Sequence, residues 1–355
     1  MRSQVLACTL LVLSQVSGFS LLPQQTASIR PAASTKLHAV AELVKKAKKD
    51  ELRKFAEAGI SDDIMSKYKE MKAAMESVDL TNQSPGPLQQ SLTKRKGTIT
   101  VIAEYKRKSA FTSSGFIKDI YDAELMSPVF REYGAAGIAV MADERMGGCT
   151  YRDLELILEE QRRARNEVPG TVPVINNDLI IDELQVARSA VLGCTAVVIN
   201  LPIVGLETTE LLLKAAKAVD LEAIVAVSTH EEAQSAVDAG ARMLSVIHVE
   251  GIDEKVAVIE GLSIPADQQV CTIANVLARN DKQLQEIEEA WAVRDKGFNC
   301  VWVGEALYKE GSDATEHPGA IIKSMRSKSS LRFASPKASS GKGEGAREYL
   351  GDIMM

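Results

Sequence analysis

From Gly97 to Arg326 the chain repeats one beat: a short apolar run, a polar turn, then a longer stretch in which apolar residues recur every three or four positions. The apolar runs are Thr98–Ala103, Gly137–Met141, Val172–Ile175, Ala196–Asn200, Ala223–Val227, Met243–Ile247, Gln269–Ile273 and Cys300–Val303. Short runs with little polar alternation read as strands covered on both faces, as in a parallel sheet. Tyr151–Asn166, Asp182–Leu192, Glu207–Val219, Thr229–Ala239 and Asp281–Lys296 read as the helices between them. Eight such units predict an α/β fold, a closed (β/α)8 TIM barrel over residues 97–326. The alternative is an open doubly wound sheet, against which stands the lack of a G-x-G-x-x-G turn after the first run.

Upstream, apolar Leu37, Val40, Leu43, Val44, Ala47, Leu52 and Phe55 mark one face of a lysine-rich helix over Leu37–Ala58. Its simplest role is to cap one end of the barrel core, so residues 38–96 form an N-terminal helical extension and loop. Within it Thr81–Lys96, containing NQSPGPLQQ, reads as loop. Residues 327–355 are rich in Ser, Lys and Gly and read as a flexible tail.

The first 37 residues hold no Asp or Glu. Arg2, the apolar run Val5–Val12 and the small residues up to Gly18 read as a signal peptide, 1–18. Residues 19–37, starting at Phe19 and carrying Arg30 and Lys36 among hydroxyl and small side chains, are transit-peptide-like. Together they resemble the two-part presequences used where a plastid lies inside extra membranes, and they predict the chloroplast stroma. The alternative is a secretory signal followed by a mobile N-terminus. Cys149, Cys194, Cys271 and Cys300 show no C-x-x-C or ladder spacing and read as buried thiols in a reducing compartment, which favours the stroma.

Composition narrows the function classes: 355 residues, 45% hydrophobic and 25% charged, are enough for one large core with appendages. A net charge of −6 points away from nucleic acid, whose binders concentrate positive charge. After the presequence no apolar stretch is long enough to span a bilayer.

In a barrel of this kind chemistry sits at the C-terminal strand ends. The first run continues as VIAEYKRK, placing Glu104 and Lys106 two residues apart and so on one face. They are the first candidate catalytic pair; a solvated rim pair worth little is the plain alternative. Ser113, Ser114 and Gly115 just beyond, and Gly304 with Glu305 after the eighth run, offer donors for a phosphate. Gly304 has a plainer reading, in which it only makes the turn. His248 and Asn275 are further candidates at strand ends. No metal cluster or cofactor fingerprint appears, so no cofactor is expected.

The segment VIAEYKRKSAFTSSG resembles the first-strand signature of the indole-3-glycerol phosphate synthase family. GAAGIAVMADE followed by Gly147-Gly148, PVINNDLIIDELQVARSAVLGCTAVVI and VWVGEALYK agree with it in order and spacing, from about Leu37 to Met325. The resemblance implies a barrel with an N-terminal helical extension. It also implies the family's step in tryptophan biosynthesis, in which a carboxylated anilino-deoxyribulose phosphate cyclises with loss of CO2 and water. Lys106 then stands by the substrate carboxylate, and Glu104 positions groups for ring closure.

The departures from the family are specific. Where the family has R-K-D-F, with Lys as principal general acid, this chain has Asn176-Asn177-Asp178-Leu179. An amide at Asn177 hydrogen-bonds but does not supply a proton. Where the family has L-V-E-V-H, Ala226 replaces the catalytic Glu; N-N-R-D becomes Ile247-His248-Val249-Glu250, and S-E-S-G becomes Cys271–Ala274 or its one-residue shift. Three readings follow: an active plastid synthase with a rearranged site, a different phosphate-ligand lyase on the same barrel, or a relative with little or no native activity that serves as a binding or assembly scaffold. Its partners are then a phosphorylated small molecule, or a protein met through the tail or the N-terminal helix.

Overall fold

The computed structural model describes residues 30–327 except 82, 95–96, 111, 113, 267, 280–283 and 309–316, with side-chain burial from residue 41. The expected signal peptide, the transit-like segment up to residue 29, Ser113 and the tail from 328 lie outside the described residues.

Eight parallel strands close into a barrel: β1 (Thr100–Tyr105), β2 (Gly137–Val140), β3 (Val174–Asn176), β4 (Ala196–Asn200), β5 (Glu222–Val227), β6 (Met243–Val246), β7 (Cys271–Val276) and β8 (Cys300–Val303). β8 pairs back onto β1, with Thr100 opposite Cys300 and Ala103 opposite Val303. Each expected strand is present. β1, β3 and β7 run one to three residues further toward their C-terminal ends, because ladder pairing carries them past the last apolar residue. The expected helices appear as Tyr151–Arg163, Glu183–Leu192, Leu206–Ala218, His230–Asp238 and Leu284–Asp295.

Alternate strand residues point inward and outward. Ile102, Ile175, Ile224, Ile273 and Trp302 belong to a packed lumen, while Val101, Val140 and Val301 pack against the helix ring. Cys149, Cys194, Cys271 and Cys300 are all buried and unbridged, as expected.

The loop expected over Thr81–Lys96 is corrected: it contains helix Pro87–Leu92. Pro87 after Gly86 starts a helix instead of breaking one, since a first-turn proline lacks only an N–H that had no partner. Leu88 and Leu92, one turn apart, are fully buried in the lumen cluster and plug its lower end. The Glu222 carboxylate at the start of β5 caps this plug, accepting from Leu88 N at 2.6 Å and Gln89 N at 2.9 Å. A side chain at Gly86 would meet that carboxylate, its Cβ 2.5 Å from Glu222 Cδ.

The N-terminal extension is two helices, Arg30–Glu57 and Asp62–Met75, the second packed on helices Glu183–Leu192 and Leu206–Ala218. The first is fastened to the barrel top by Lys48, which is fully buried. Its amine bridges Asp143 beyond β2 at 2.5 Å and Asp178 beyond β3 at 2.6 Å.

Candidate active site

At the C-terminal end of β1, Glu104 and Lys106 are both buried, 6% and 9% exposed, so this is no solvated rim pair. Asn177, which follows β3, donates from Nδ2 to Glu104 Oε1 at 2.8 Å. Lys106 Nζ donates to Glu305 Oε1 at 3.0 Å, which links the ends of the neighbouring first and eighth strands at the rim. Tyr308 donates its hydroxyl to the Glu104 carbonyl at 3.1 Å and fixes the end of β1.

Burial pushes the Glu104 carboxyl above the usual carboxylate range, against the pull of Lys106 and the Asn177 amide. Burial acts to lower the Lys106 amine, but Glu104 and Glu305 outweigh it and hold it above the ordinary lysine value. Because Glu305 pairs with Lys106 independently, the lysine stays a cation whichever form Glu104 takes. The pair can thus hold an anion and present a carboxyl that keeps its proton to higher pH than usual.

The other positions are placed as follows. Ala226 lies on β5 and is buried in the lumen cluster, where a methyl group offers no proton and no charge. Asn275 lies on β7 opposite Trp302 of β8, so that strand reaches the rim at Asn275. His248 is exposed, with a left-handed φ of 57°. Ser114 is exposed, and its hydroxyl donates within its own turn to Phe116 O at 2.9 Å; Gly115 has φ 75° with open space around it.

Gly304 has a packing reason beyond its turn. It is not among the positive-φ residues, and an added Cβ would lie 2.1 Å from Glu104 Oε2. It is glycine so that the Glu104 carboxylate can lie against β8. Gly147 and Gly148 have comparable reasons: a Cβ at Gly147 would meet Met141 O at 2.5 Å, and Gly148 has φ 70°. Gly147 O accepts from Arg107 N at 2.7 Å and Lys108 N at 2.8 Å, tying the first loop to the second.

Sequence reasoning left Lys48, Asp143 and Asp178 without a joint role. A signal existed, since Lys48 falls one turn after Val44 and one before Leu52 on the apolar face of its helix. Desolvation raises the Asp143 carboxyl, yet Lys48 and neighbouring donors bring it below the usual range; burial leaves Asp178 above it. Asp178 also accepts from Tyr151 Oη at 2.9 Å and Gln185 Nε2 at 2.8 Å. Among the described residues no group of three or more His, Cys, Asp or Glu is arranged to hold a metal ion.

The sequence model of the indole-3-glycerol phosphate synthase family matches residues 60–317. A protein of that name from Leptospira interrogans is 30% identical over 159 residues, which is 45% of this chain and 58% of that protein. One from Carboxydothermus hydrogenoformans is 26% identical over 240 residues, covering 66% of this chain and 84% of its own length. One from Petrotoga mobilis is 26% identical over 242 residues, with 66% and 88% covered.

Proposed function

Because the chain belongs to the indole-3-glycerol phosphate synthase family, we propose that it is a member whose ring-closing reaction is strongly impaired and whose mouth still binds a phosphorylated small molecule. The observation that carries this reading is the Asn177–Glu104 hydrogen bond. The position matching the family's general acid is occupied by an amide that faces the retained carboxyl and is used up in holding it. A positioned acid or base is worth about 10²- to 10⁴-fold in rate. With Ala226 at the position matching the second carboxylate, two such contributions are missing, even allowing that linked residues are not additive.

Apart from Glu104 itself, whose carboxyl is held by Asn177, no neighbouring side chain supports a substitute acid. Lys106 is paired with Glu305, Lys48 is enclosed between Asp143 and Asp178, and His248 is exposed. Lys106 and the Gly304-Glu305 turn still provide a cation and backbone donors for an anion. The active-synthase reading rests on the retained Glu104 and Lys106, which by themselves lack a partner acid.

The two tests are turnover of the family substrate, compared with an Asn177→Lys, Ala226→Glu variant, and binding of inorganic phosphate. Phosphate raising the melting temperature of the parent protein but less so that of Lys106→Met supports the binding role. The four buried free thiols support a reducing compartment, and with the presequence we read the stroma as its site. A fluorescent fusion of residues 1–40 confined to the secretory route would contradict that.

A further inference from the structure

Lys106 is the cation of the mouth, and its seat is taken. Its amine lies 3.0 Å from Glu305 Oε1, with the two side chains 11% and 16% exposed. The charge on Glu305 reaches Glu104 as well and opposes ionisation there. Lys106, Glu104 and Glu305 together are one amine and two carboxyls, so with Glu305 in place they offer an incoming anion no net positive charge. The pull of Lys106 on an anion is released only when Glu305 leaves it.

The turn that carries Glu305 is fixed, and its side chain is the part able to move. Glu305–Tyr308 form one short turn after β8. Leu307 N donates to Gly304 O at 2.9 Å, and the Tyr308 hydroxyl is held on the Glu104 carbonyl at 3.1 Å. Ala306, Leu307 and Tyr308 are buried, whereas Glu305 is half-buried at the rim. Among the described residues the Glu305 carboxylate has one hydrogen-bond partner, Lys106. Its departure is therefore a side-chain rotation toward solvent that costs one contact and leaves the backbone where it was. What it vacates is a seat already shaped by an oxyanion, within hydrogen-bond reach of Lys106 Nζ.

We propose that Glu305 is an internal counter-anion that sets the affinity of the mouth: a phosphoryl group binds Lys106 by taking the place of the Glu305 carboxylate. This rests on the reading of the mouth as an anion site and gives Glu305 a divided role. The backbone of its turn favours the ligand, and its side chain opposes it. Tethered beside Lys106, the carboxylate competes at a high effective concentration, so free phosphate binds well below the strength Lys106 alone would give.

Inorganic phosphate, titrated calorimetrically into the purified full chain at low ionic strength, tests it. Glu305→Gln keeps the shape and removes the charge, and it binds phosphate on the order of tenfold or more tighter than the parent protein. In a Lys106→Met background the same change brings less than half of that gain in free energy, because no cation is being freed. Equal or weaker affinity in Glu305→Gln, or the same gain with and without Lys106, overturns the inference while phosphate binding by the mouth stands. Binding to neither the parent nor Glu305→Gln overturns the anion-site reading and the inference with it. Binding to Glu305→Gln alone supports the inference and contradicts a phosphate-binding role for the parent. Should Glu305→Gln not fold, a crystal structure of the parent protein with phosphate decides: phosphate on Lys106 with Glu305 turned to solvent supports the exchange, and Glu305 still paired with Lys106 overturns it.

Discussion

Asn177 Nδ2 and Glu104 Oε1 lie 2.8 Å apart, joined across the mouth of the barrel by residues 73 positions apart in the chain. The bond satisfies an oxygen of a carboxyl that burial pushes above its usual range. The folded state therefore keeps a proton that the unfolded chain loses near pH 4.3. Below that pH the contribution to stability is fully present, and it is lost as pH rises through the raised folded value. Glu104→Gln, which keeps an acceptor for Asn177, is expected to flatten the profile and to gain on the order of 1 kcal/mol at neutral pH. Urea midpoints from pH 4 to 8 measure it; a parent profile that rises with pH and loses this rise in Glu104→Gln would count against the burial account.

Lys48 neutralises two buried carboxylates at once. Lys48→Met leaves Asp143 and Asp178 without their common cation and is expected to cost about 3–5 kcal/mol, as removal of one partner from a buried ion pair does. Denaturant unfolding reads the loss. A change under 1 kcal/mol would show that the N-terminal helix is held by its apolar face alone.

Glu222 caps the helix that plugs the lower end of the lumen. Glu222→Ala removes the acceptor of Leu88 N and Gln89 N and is expected to cost about 2 kcal/mol, with Glu222→Gln costing less. Hydrogen exchange at those two amides should accelerate in the alanine variant more than at strand amides.

Gly304→Ala puts a methyl group where Glu104 Oε2 now lies, 2.1 Å from the new Cβ. The expected cost is about 1–3 kcal/mol from overpacking. In a Glu104→Ala background the same change should cost less than half as much, a coupling that a double-mutant cycle reads directly. Equal costs in both backgrounds would mean that Gly304 serves the turn.

The barrel was legible because strands covered on both faces leave apolar runs that need no knowledge of their partners. The plug helix was not, since it is six residues long and opens on Pro-Gly signals that usually mean a turn. Glu104 and Lys106 were legible as a pair because both lie on one strand face. What holds them was not: Asn177, Glu305 and Tyr308 arrive from parts of the chain 73 to 204 positions away, and Lys48 meets Asp178 across 130 positions. A sequence shows that Lys48 interrupts an apolar face, but only the fold shows which carboxylates receive it.

A family barrel with an amide at Asn177 in place of the acid and a methyl group at Ala226 in place of the carboxylate is expected not to close the indole ring at a useful rate. The most direct measurement is single-turnover assay of the purified protein with the carboxylated anilino-deoxyribulose phosphate, beside the Asn177→Lys, Ala226→Glu variant. Turnover by the parent protein is expected to be at least about 10²-fold below that of the variant, or undetectable. Parent turnover equal to or faster than that of the variant would contradict it.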